Sequence, residues 1–330
     1  MVDLSIVIVS WNVRDLLRRC LASVISDQGA GSRDQETPDR RSLIPDHLAL
    51  EVIVVDNAST DGSAAMVRDE FPNVRLVASD RNLGYPGGNN VGLRMAQGRY
   101  LMILNPDTEV CPGALAAMVA YADAHPDVGV IGPQLLNPDG SVQSSRRRFP
   151  AFATALFEST WLQPLAPRRL LERYYVLDQP DDVTLDVDWV DGAALMARRE
   201  AVERVGLLDE GFFMYSEELD WCRRFRQAGW GVVYLPEAKV VHHRGRSSDQ
   251  VVAARHIHFN TSKVRYFRRY HGALAAEVLR LFLLGNYVWQ LGLEGGKWLV
   301  GHKRPLRAQR MAAYWQVLQS GLQKRPHADE

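Results

Sequence analysis

EVIVVDNASTDGS, residues 51–63, joins a run of apolar, mainly β-branched residues directly to helix-starting chemistry. Glu51 to Val55 shows no polar alternation, as a strand covered on both faces requires. Asp56 and Asn57 end that strand, and Ser59, Thr60 and Asp61 then offer side-chain oxygens to cap a helix running to about Glu70. The stretch therefore reads as one β–α unit.

Working outward, the unit repeats. Leu4 to Val9 is a strand followed by helical periodicity over 13–25. Val74 to Ala78 is a strand, and GYPGGNN (84–90) opens another helix. Tyr100 to Leu104 is a strand ending in NPDTE, Pro112 starts the next helix, and Val128 to Ile131 is again strand-like. This alternation predicts an α/β fold around a mainly parallel sheet with right-handed crossovers. Ligands of such sheets bind beyond the carboxyl ends of the strands, where Asp56, Asn57 and Asp107 fall. Residues 27–48 are polar and read as a flexible loop, and 150–185 as an insertion rich in aromatics, Leu and Pro. Strand patterns return at 187–190 and 193–197, a helix follows from Arg199, and from about 251 the chain reads as helical. The expected organisation is an α/β domain over 1–250 and a helical extension over 251–330.

The composition allows a sizeable core, with 46% hydrophobic residues among 330. Lys plus Arg and Asp plus Glu both total 39, which gives no case for a nucleic-acid partner. Basic runs occur at Arg146–Arg148, at Lys263–Arg269 and at Lys303–Arg310. Cys20, Cys111 and Cys222 are too scattered for a disulfide or zinc framework and fit a reducing compartment. MVDLSIVIVSWN is apolar too briefly for a signal peptide and reads as a strand. No stretch is long enough for an uninterrupted transmembrane helix.

Four segments carry chemistry. Asp56 sits where a strand-end carboxylate can accept a hydrogen bond from a base or ribose. The glycines of RNLGYPGGNNVGL (81–93) would let a backbone approach a phosphate, although the same residues suit a tight turn with an Asn-rich cap. In LMILNPDTEV (101–110), Asp107, helped by Asn105 or Glu109, offers hard oxygen ligands to Mg²⁺ or Mn²⁺, against the plain reading of a cap after Pro106. Glu217, Glu218 and Asp220 crowd one helix start, so one can be tuned as a base, and His242 or His243 arrives from a second element. An acidic helix N-terminus stabilised by the macrodipole is the competing reading. Glu218 and Asp220 would point about 200° apart on a helix, so all three carboxylates cannot serve one site. Trp221, Phe225 and Trp230 suit core packing better than an acceptor platform. Arg146–Arg148 suit a solvated loop better than a phosphate contact.

Taken in order, VDNASTDGS, NLGYPGGNN, NPDTE, the long segment from Gly192 to Trp230 and VVHHRGRSS resemble the family 2 glycosyltransferases of the GT-A fold, nearest their bacterial rhamnosyltransferase-like branch. The resemblance covers roughly residues 3–271. It implies that Ser10, Trp11 and Asn12 line the nucleotide base pocket, with Trp11 where Tyr is usual. Asp56 would contact base or ribose, Asn57 stands for a frequent second Asp, and Asn82 and Gly84 would lie beneath the nucleotide. NPDT matches the metal-binding DXD motif with Asn105 in place of its first Asp, leaving Asp107 as the metal and diphosphate ligand. SEELD matches E-D-x-D, with Glu218 where an Asp commonly serves as base and with Asp220 and Glu217 beside it. His242 matches the histidine of H-x-x-G-x-S, a metal ligand in some members.

The implied activity is an inverting transfer from a dTDP-, UDP- or GDP-linked sugar, with rhamnose suggested by the branch, to a glycan or lipid-linked acceptor in cell-envelope polysaccharide synthesis. The cofactor would be Mg²⁺ or Mn²⁺. The departures at Asn105 and Glu218 leave a non-catalytic nucleotide-sugar-binding partner of a glycan assembly complex as the alternative. A nucleotidyltransferase would need a basic glycine-rich N-terminal loop, which SWNVRD is not. LFLLGNYVWQLGL (281–293), flanked by bases, is apolar enough to lie in a membrane surface but too short to span one. The extension would then hold a cytoplasmic enzyme on the inner face of the membrane; a helical hairpin packed on protein or across a homodimer is the equal alternative.

Overall fold

The structure is a computed structural model, and it describes residues 1–29, 48–243 and 252–323. The loop expected at 27–48 and the Gly and Ser of VVHHRGRSS lie almost wholly outside the described residues.

The chain runs β1 (Leu4–Ser10), α1 (Arg14–Gly29), β2 (Leu50–Asn57), α2 (Ser63–Glu70), β3 (Arg75–Ser79), α3 (Gly84–Met95), β4 (Tyr100–Leu104), β5 (Thr108–Val110) and α4 (Ala114–Ala124). Next come β6 (Val128–Leu136), β7 (Val142–Gln143), β8 (Arg146–Arg147), α5 (Phe152–Phe157), α6 (Arg168–Tyr175), β9 (Leu185–Asp186), β10 (Trp189–Val190), β11 (Ala194–Arg198) and α7 (Arg199–Val205). The rest is α8 (Glu217–Gln227), β12 (Gly231–His242), α9 (Val252–His271), α10 (Ala273–Leu299) and α11 (Arg304–Ser320).

The main sheet has the order β3-β2-β1-β4-β11-β6-β12-β5, with β7 on β6 and β9 on β12. β3, β2, β1 and β4 are parallel, and β11 enters antiparallel between β4 and β6, so the sheet is mixed but mainly parallel. Every residue of β1 is buried. Leu4, Ile6 and Ile8 pack with Leu17 and Leu21 of α1, Met66 of α2 and Met118 of α4. Val7 and Val9 pack on the other face with Leu93 of α3, Val202 of α7 and Trp221 and Phe225 of α8. Burial on both faces is the physical reason why the strand reads as continuous apolar sequence. Trp221 and Phe225 are thus core residues.

Contacts divide the chain into two units. One comprises Met1–Phe149, Tyr175–Gly211 and Glu217–Ser247, and contains the sheet. The other comprises Pro150–Tyr174, Phe212–Ser216 and Ser248–Glu330. In this second unit Phe152 meets Phe267 edge-on, Lys263 binds Glu158 at 2.9 Å, and Trp161 N–H donates to Asn286. Much of the 150–185 segment therefore groups with the C-terminal helices. Its many apolar side chains have those helices to pack on, which explains a segment with no strand or helix period of its own.

Three local expectations change. The glycines of RNLGYPGGNNVGL do not form a loop ahead of the helix: from Gly84 onward they lie inside α3. A Cβ at Gly88 would sit 2.8 Å from Val9 Cγ1, and one at Gly92 would sit 2.4 Å from Val7 Cγ1, so these glycines let the helix press against β1. α4 begins at Ala114, not Pro112, and Asp27 of α1 accepts from Gly113 N–H and Leu115 N–H to cap it. The basic run Arg146–Arg148 is not a solvated loop. Arg146 is buried, binding the carbonyls of Val176 and Gln179 and the Asp181 carboxylate, and Arg147 stacks on Tyr175 and Trp189.

Candidate active site

Adjacent parallel strands bring their carboxyl ends together. Ser10 and Asp56 are register partners across β1 and β2, and β1 also pairs with β4, which ends just before Asn105. Asp56 is buried, with Oδ2 accepting from Ser59 N–H at 3.0 Å. Asn12, in the left-handed region at φ 52°, receives Thr60 N–H at 2.8 Å and gives its own N–H to Ser59, so the loops after β1 and β2 are stitched together. Asn tolerates that conformation better than most residues. The N-cap of α2 is Gly62, in the left-handed region at φ 85°, and the side-chain oxygen that meets the helix start is that of Asp61, accepting from Ser63 N–H at 3.0 Å, not one of Ser59 or Thr60. Asn57 donates to Asn82 and to the Gly84 carbonyl, while Asn82 accepts from Gly84 N–H, which fixes the start of α3 beside β2. Trp11 is half-buried at the same strand end.

The NPDT turn is closed by Thr108 Oγ1–H donating to the Asn105 carbonyl at 2.7 Å. After an irregularity around Pro236–Ala238, β12 runs on antiparallel to β5 and sets His242 opposite Thr108. His243 N–H donates to the Asp107 carbonyl. His242 Nε2 then lies 3.5 Å from Asp107 Oδ1, both side chains being buried. His243 instead meets Glu109 at 2.7 Å. Gln143 donates Nε2–H to the carbonyls of His242 and Leu136, which turns its Oε1 toward His242 Nδ1 at 3.2 Å. An amide oxygen only accepts, so Nδ1 carries a proton, and in the neutral ring Nε2 is the nitrogen that offers a lone pair to the Asp107 side. An imidazole nitrogen and a carboxylate oxygen converging in this way fit a divalent cation of the Mn²⁺ or Mg²⁺ type, the remaining positions being left for diphosphate and water oxygens. Among the described residues no cluster of three His, Cys, Asp or Glu surrounds a metal position.

Glu217 and Glu218 open α8. Glu217 is buried and Glu218 half-buried, and neither Oε2 has a hydrogen-bond partner. Burial and the charge of Glu218 push the Glu217 carboxyl well above its usual range. Burial first, and then the charge of Asp191, raise Glu218 to about 7. Glu218 packs on Gly192, where an added Cβ would lie 3.2 Å from Glu218 Cβ. Tyr85 of α3 donates to the Gly192 carbonyl at 2.8 Å, and burial first, then the acids Glu217, Glu218 and Asp191, push its phenol well above the usual range. Asp191 was missed in the sequence because the recognised segment begins one residue later, at Gly192.

Asp220 is elsewhere. It is fully buried and paired with Arg224 at 2.8 Å, whose guanidinium also grips the carbonyls of Val205, Gly206 and Leu207. Two consecutive non-glycine residues with positive φ, Tyr215 at 71° and Ser216 at 63°, lead into Glu217. Backbone held in that region costs on the order of 1 kcal/mol per residue and tends to gather at functional sites.

The base-candidate and metal-candidate groups are joined through the sheet. Asn105 N–H donates to the Ala193 carbonyl at 2.8 Å, and Ala194 is the register partner of Leu104. The turn bearing Asp107 is thus one hydrogen bond away from the Asp191–Gly192–Ala193 segment against which Glu218 lies. Among the described residues, twelve buried side-chain polar atoms lack a partner. Seven are in this region, on Ser10, Asp56, Asn57, Asn89, Asn105, Glu217 and Glu218. Buried polar atoms are normally satisfied, so such a concentration suits a polar ligand.

A family model described as Glycosyl transferase family 2 matches residues 5–205. The N-acetylglucosaminyl-diphospho-decaprenol L-rhamnosyltransferase of Mycobacterium tuberculosis is 34% identical over 212 residues, 60% of this chain and 68% of that protein. Among solved structures, GalNAc-T7 with UDP, GalNAc and Mn²⁺ superposes with a TM-score of 0.55 at 18% identity, over 81% of this chain and 48% of that one. The mannosyltransferase PcManGT from Pyrobaculum calidifontis, in complex with GDP-Man and Mn²⁺, gives 0.54 at 19% identity, over 97% and 84%. At those identities the two structures speak to the fold.

Proposed function

Because this chain belongs to glycosyl transferase family 2 and is a glycosyltransferase of the GT-A fold, we propose that it performs an inverting sugar transfer with Glu218 as general base. The donor is a nucleotide-diphosphate sugar, with rhamnose the first sugar to test. The acceptor is a glycan or lipid-linked hydroxyl of cell-envelope polysaccharide synthesis. The name of the mycobacterial relative supports a rhamnosyl donor and a polyprenyl diphosphate-linked acceptor.

In this reading an acceptor hydroxyl oxygen bonds to the anomeric carbon from the face opposite the diphosphate, whose C–O bond breaks, and the hydroxyl proton passes to Glu218. A pKa of about 7 suits that task, since the base is then partly ionised at neutral pH and still basic enough to take a proton. Asp191 tunes Glu218, and Glu217, its carboxyl raised by burial and by the Glu218 charge, lies beside it. Asp220 braces the loop ahead of α8 through Arg224. Ser10, Trp11, Asn12, Asp56, Asn57, Asn82, Gly84 and Asn105 form the nucleotide pocket, with unpartnered atoms on Ser10, Asp56, Asn57 and Asn105 available to base, ribose or phosphate. A divalent cation held by Asp107 and His242 would supply positive charge for the leaving diphosphate. Residues 1–250 carry the reaction and 251–330 form the extension. Cys20 and Cys222, buried as free thiols, suit a reducing cytoplasm.

The observation that carries this reading is Glu218 itself: a carboxylate with an unpartnered buried oxygen, packed on the strand segment that also holds Asn105. Thermal shifts with dTDP-, UDP- and GDP-sugars, with and without Mn²⁺, identify the donor, because a ligand that binds the folded state stabilises it. With that donor, Glu218→Gln loses turnover and keeps the thermal shift. Near-native turnover in Glu218→Gln removes the assignment.

A further inference from the structure

We propose that the exposed face of α10, in the C-terminal unit, is a docking surface for an anionic lipid bilayer. Nineteen large apolar side chains are exposed among the described residues. Fourteen belong to this smaller unit and five to the larger one. On α10 they form a stripe: Leu274, Val278, Leu281, Val288 and Leu299 recur at helical spacing, with exposures of 80% at Leu274, 56% at Leu281 and 58% at Val288. Gly285, Gly292 and Gly296 fall on the same face, and a Cβ at any of them would meet nothing. A charged residue, Glu277, borders the stripe between Leu274 and Leu281, and its carboxylate is paired with Arg280 and lies near Arg268. The opposite face of the helix buries Ala276, Leu279, Leu283 and Tyr287, so the stripe is not the side that α10 uses to pack within its own unit.

Charge identifies the occupant. The whole chain balances 39 basic against 39 acidic residues, yet residues 252–323 contain eleven Lys and Arg against two acids, a net +9. Lys297 and Arg310, about half exposed, lie beside Glu294 toward the C-terminal end of α10. A second copy of this chain docking by the same face would bring two such units together against their mutual repulsion, whereas an anionic headgroup layer complements them. Trp289, Trp298 and Trp315 are also partly exposed in the unit, and Arg304 stacks on Trp298. Indole rings of this kind sit at the headgroup level of a bilayer. No described helix is long and apolar enough to cross a membrane, so α10 would lie in the plane of the surface.

The surface is independent of the glycosyl-transfer reading, and its test does not use turnover. The full chain is floated with phosphatidylcholine vesicles, with and without phosphatidylglycerol. It should rise with the anionic vesicles, stay down with the neutral ones, and lose most of its binding in high salt. Leu281→Ser/Val288→Ser should weaken flotation about tenfold or more, from the apolar area removed. Gly292→Glu adds a carboxylate to the stripe, removes no side chain, and should have the same effect. The thermal melt and any nucleotide-sugar thermal shift should remain those of the parent, which separates lost docking from lost folding. The proposal is overturned if the parent stays down with anionic vesicles, or if both variants float as the parent does. It is also overturned if the parent is a lipid-free dimer that Leu281→Ser/Val288→Ser splits while flotation is absent.

Discussion

Asp107 Oδ1 and His242 Nε2 lie 3.5 Å apart although one ends the turn after β4 and the other the last strand of the sheet. Gln143 decides what that proximity means. With its amide nitrogen committed to two carbonyls, its oxygen fixes a His242 proton on Nδ1 and, in the neutral ring, leaves Nε2 open. Removing this partner should therefore damage cation binding without touching either ligand. Gln143→Met is expected to weaken Mn²⁺ binding about 10- to 100-fold, the usual effect of losing the group that orients a ligating histidine. His242→Ala should weaken it further. Thermal shift against Mn²⁺ in the presence of a nucleoside diphosphate measures both, and an unchanged Mn²⁺ titration in Gln143→Met would sink the tautomer argument.

Glu218 predicts a pH profile. It must be ionised to take the acceptor proton, and burial with the Asp191 charge raises it to about 7, so turnover should fall roughly tenfold per pH unit below that value. In Asp191→Asn one of the two causes is gone and burial, the larger, remains. The acid limb should move to lower pH without reaching that of a free carboxylate. The linkage has the opposite sign for stability. Glu218 holds its proton more tightly folded than unfolded, so its contribution is complete below the unfolded value and is lost as pH rises through about 7. Asp191→Asn should shrink that loss. A pH–rate profile superimposable on the parent's would reject Asp191 as the tuning group.

The contrast between Asp191 and Asp107 shows what the sequence disclosed. Asp107 follows a continuous apolar strand, so its position at a carboxyl end is a local property that sequence reveals. Asp191 and Gln143 sit beside short two-residue strands, and their relevance depends on pairings of β8 with β10 and β7 with β6 that no local pattern encodes. The parallel strands and the helices after Arg199 and 251 were legible for the same local reason. The role of the Gly-rich motif was not, because closeness to Val7 and Val9 is a tertiary fact. Asp220 was legible only halfway: helical spacing separated it from Glu218, but its partner Arg224 and the three carbonyls that Arg224 holds appear only in the fold.

Gly92 gives a packing prediction. A Cβ there would come 2.4 Å from Val7 Cγ1 and 3.0 Å from Cγ2, inside a two-sided core. Gly92→Ala should destabilise the protein by about 1–3 kcal/mol, the range for overpacking, despite alanine's better helix propensity. Val7→Ala in the same chain removes both clashing methyls and should recover part of the loss. A denaturant melt of the single and double variants measures this. If Gly92→Ala is as stable as the parent, close approach of α3 to β1 is not what the glycine is for.

The last prediction separates the two carboxylates that a motif would lump together. Asp220 is fully buried and its charge is balanced by Arg224 in a pair that also ties Val205, Gly206 and Leu207 to α8. Taking away one partner of such a pair leaves the other charge buried, at a cost of about 3–5 kcal/mol. Asp220→Asn should lower the melting temperature markedly, while the folded fraction keeps its nucleotide-sugar binding and the pH limb of the parent. Glu218→Gln should do the reverse. It replaces a carboxyl raised by burial and a neighbouring acid with a neutral amide, so it should hold or raise stability at neutral pH and abolish turnover. Melting curves and turnover on the two variants side by side test this, and a stable but inactive Asp220→Asn would reassign the base to Asp220.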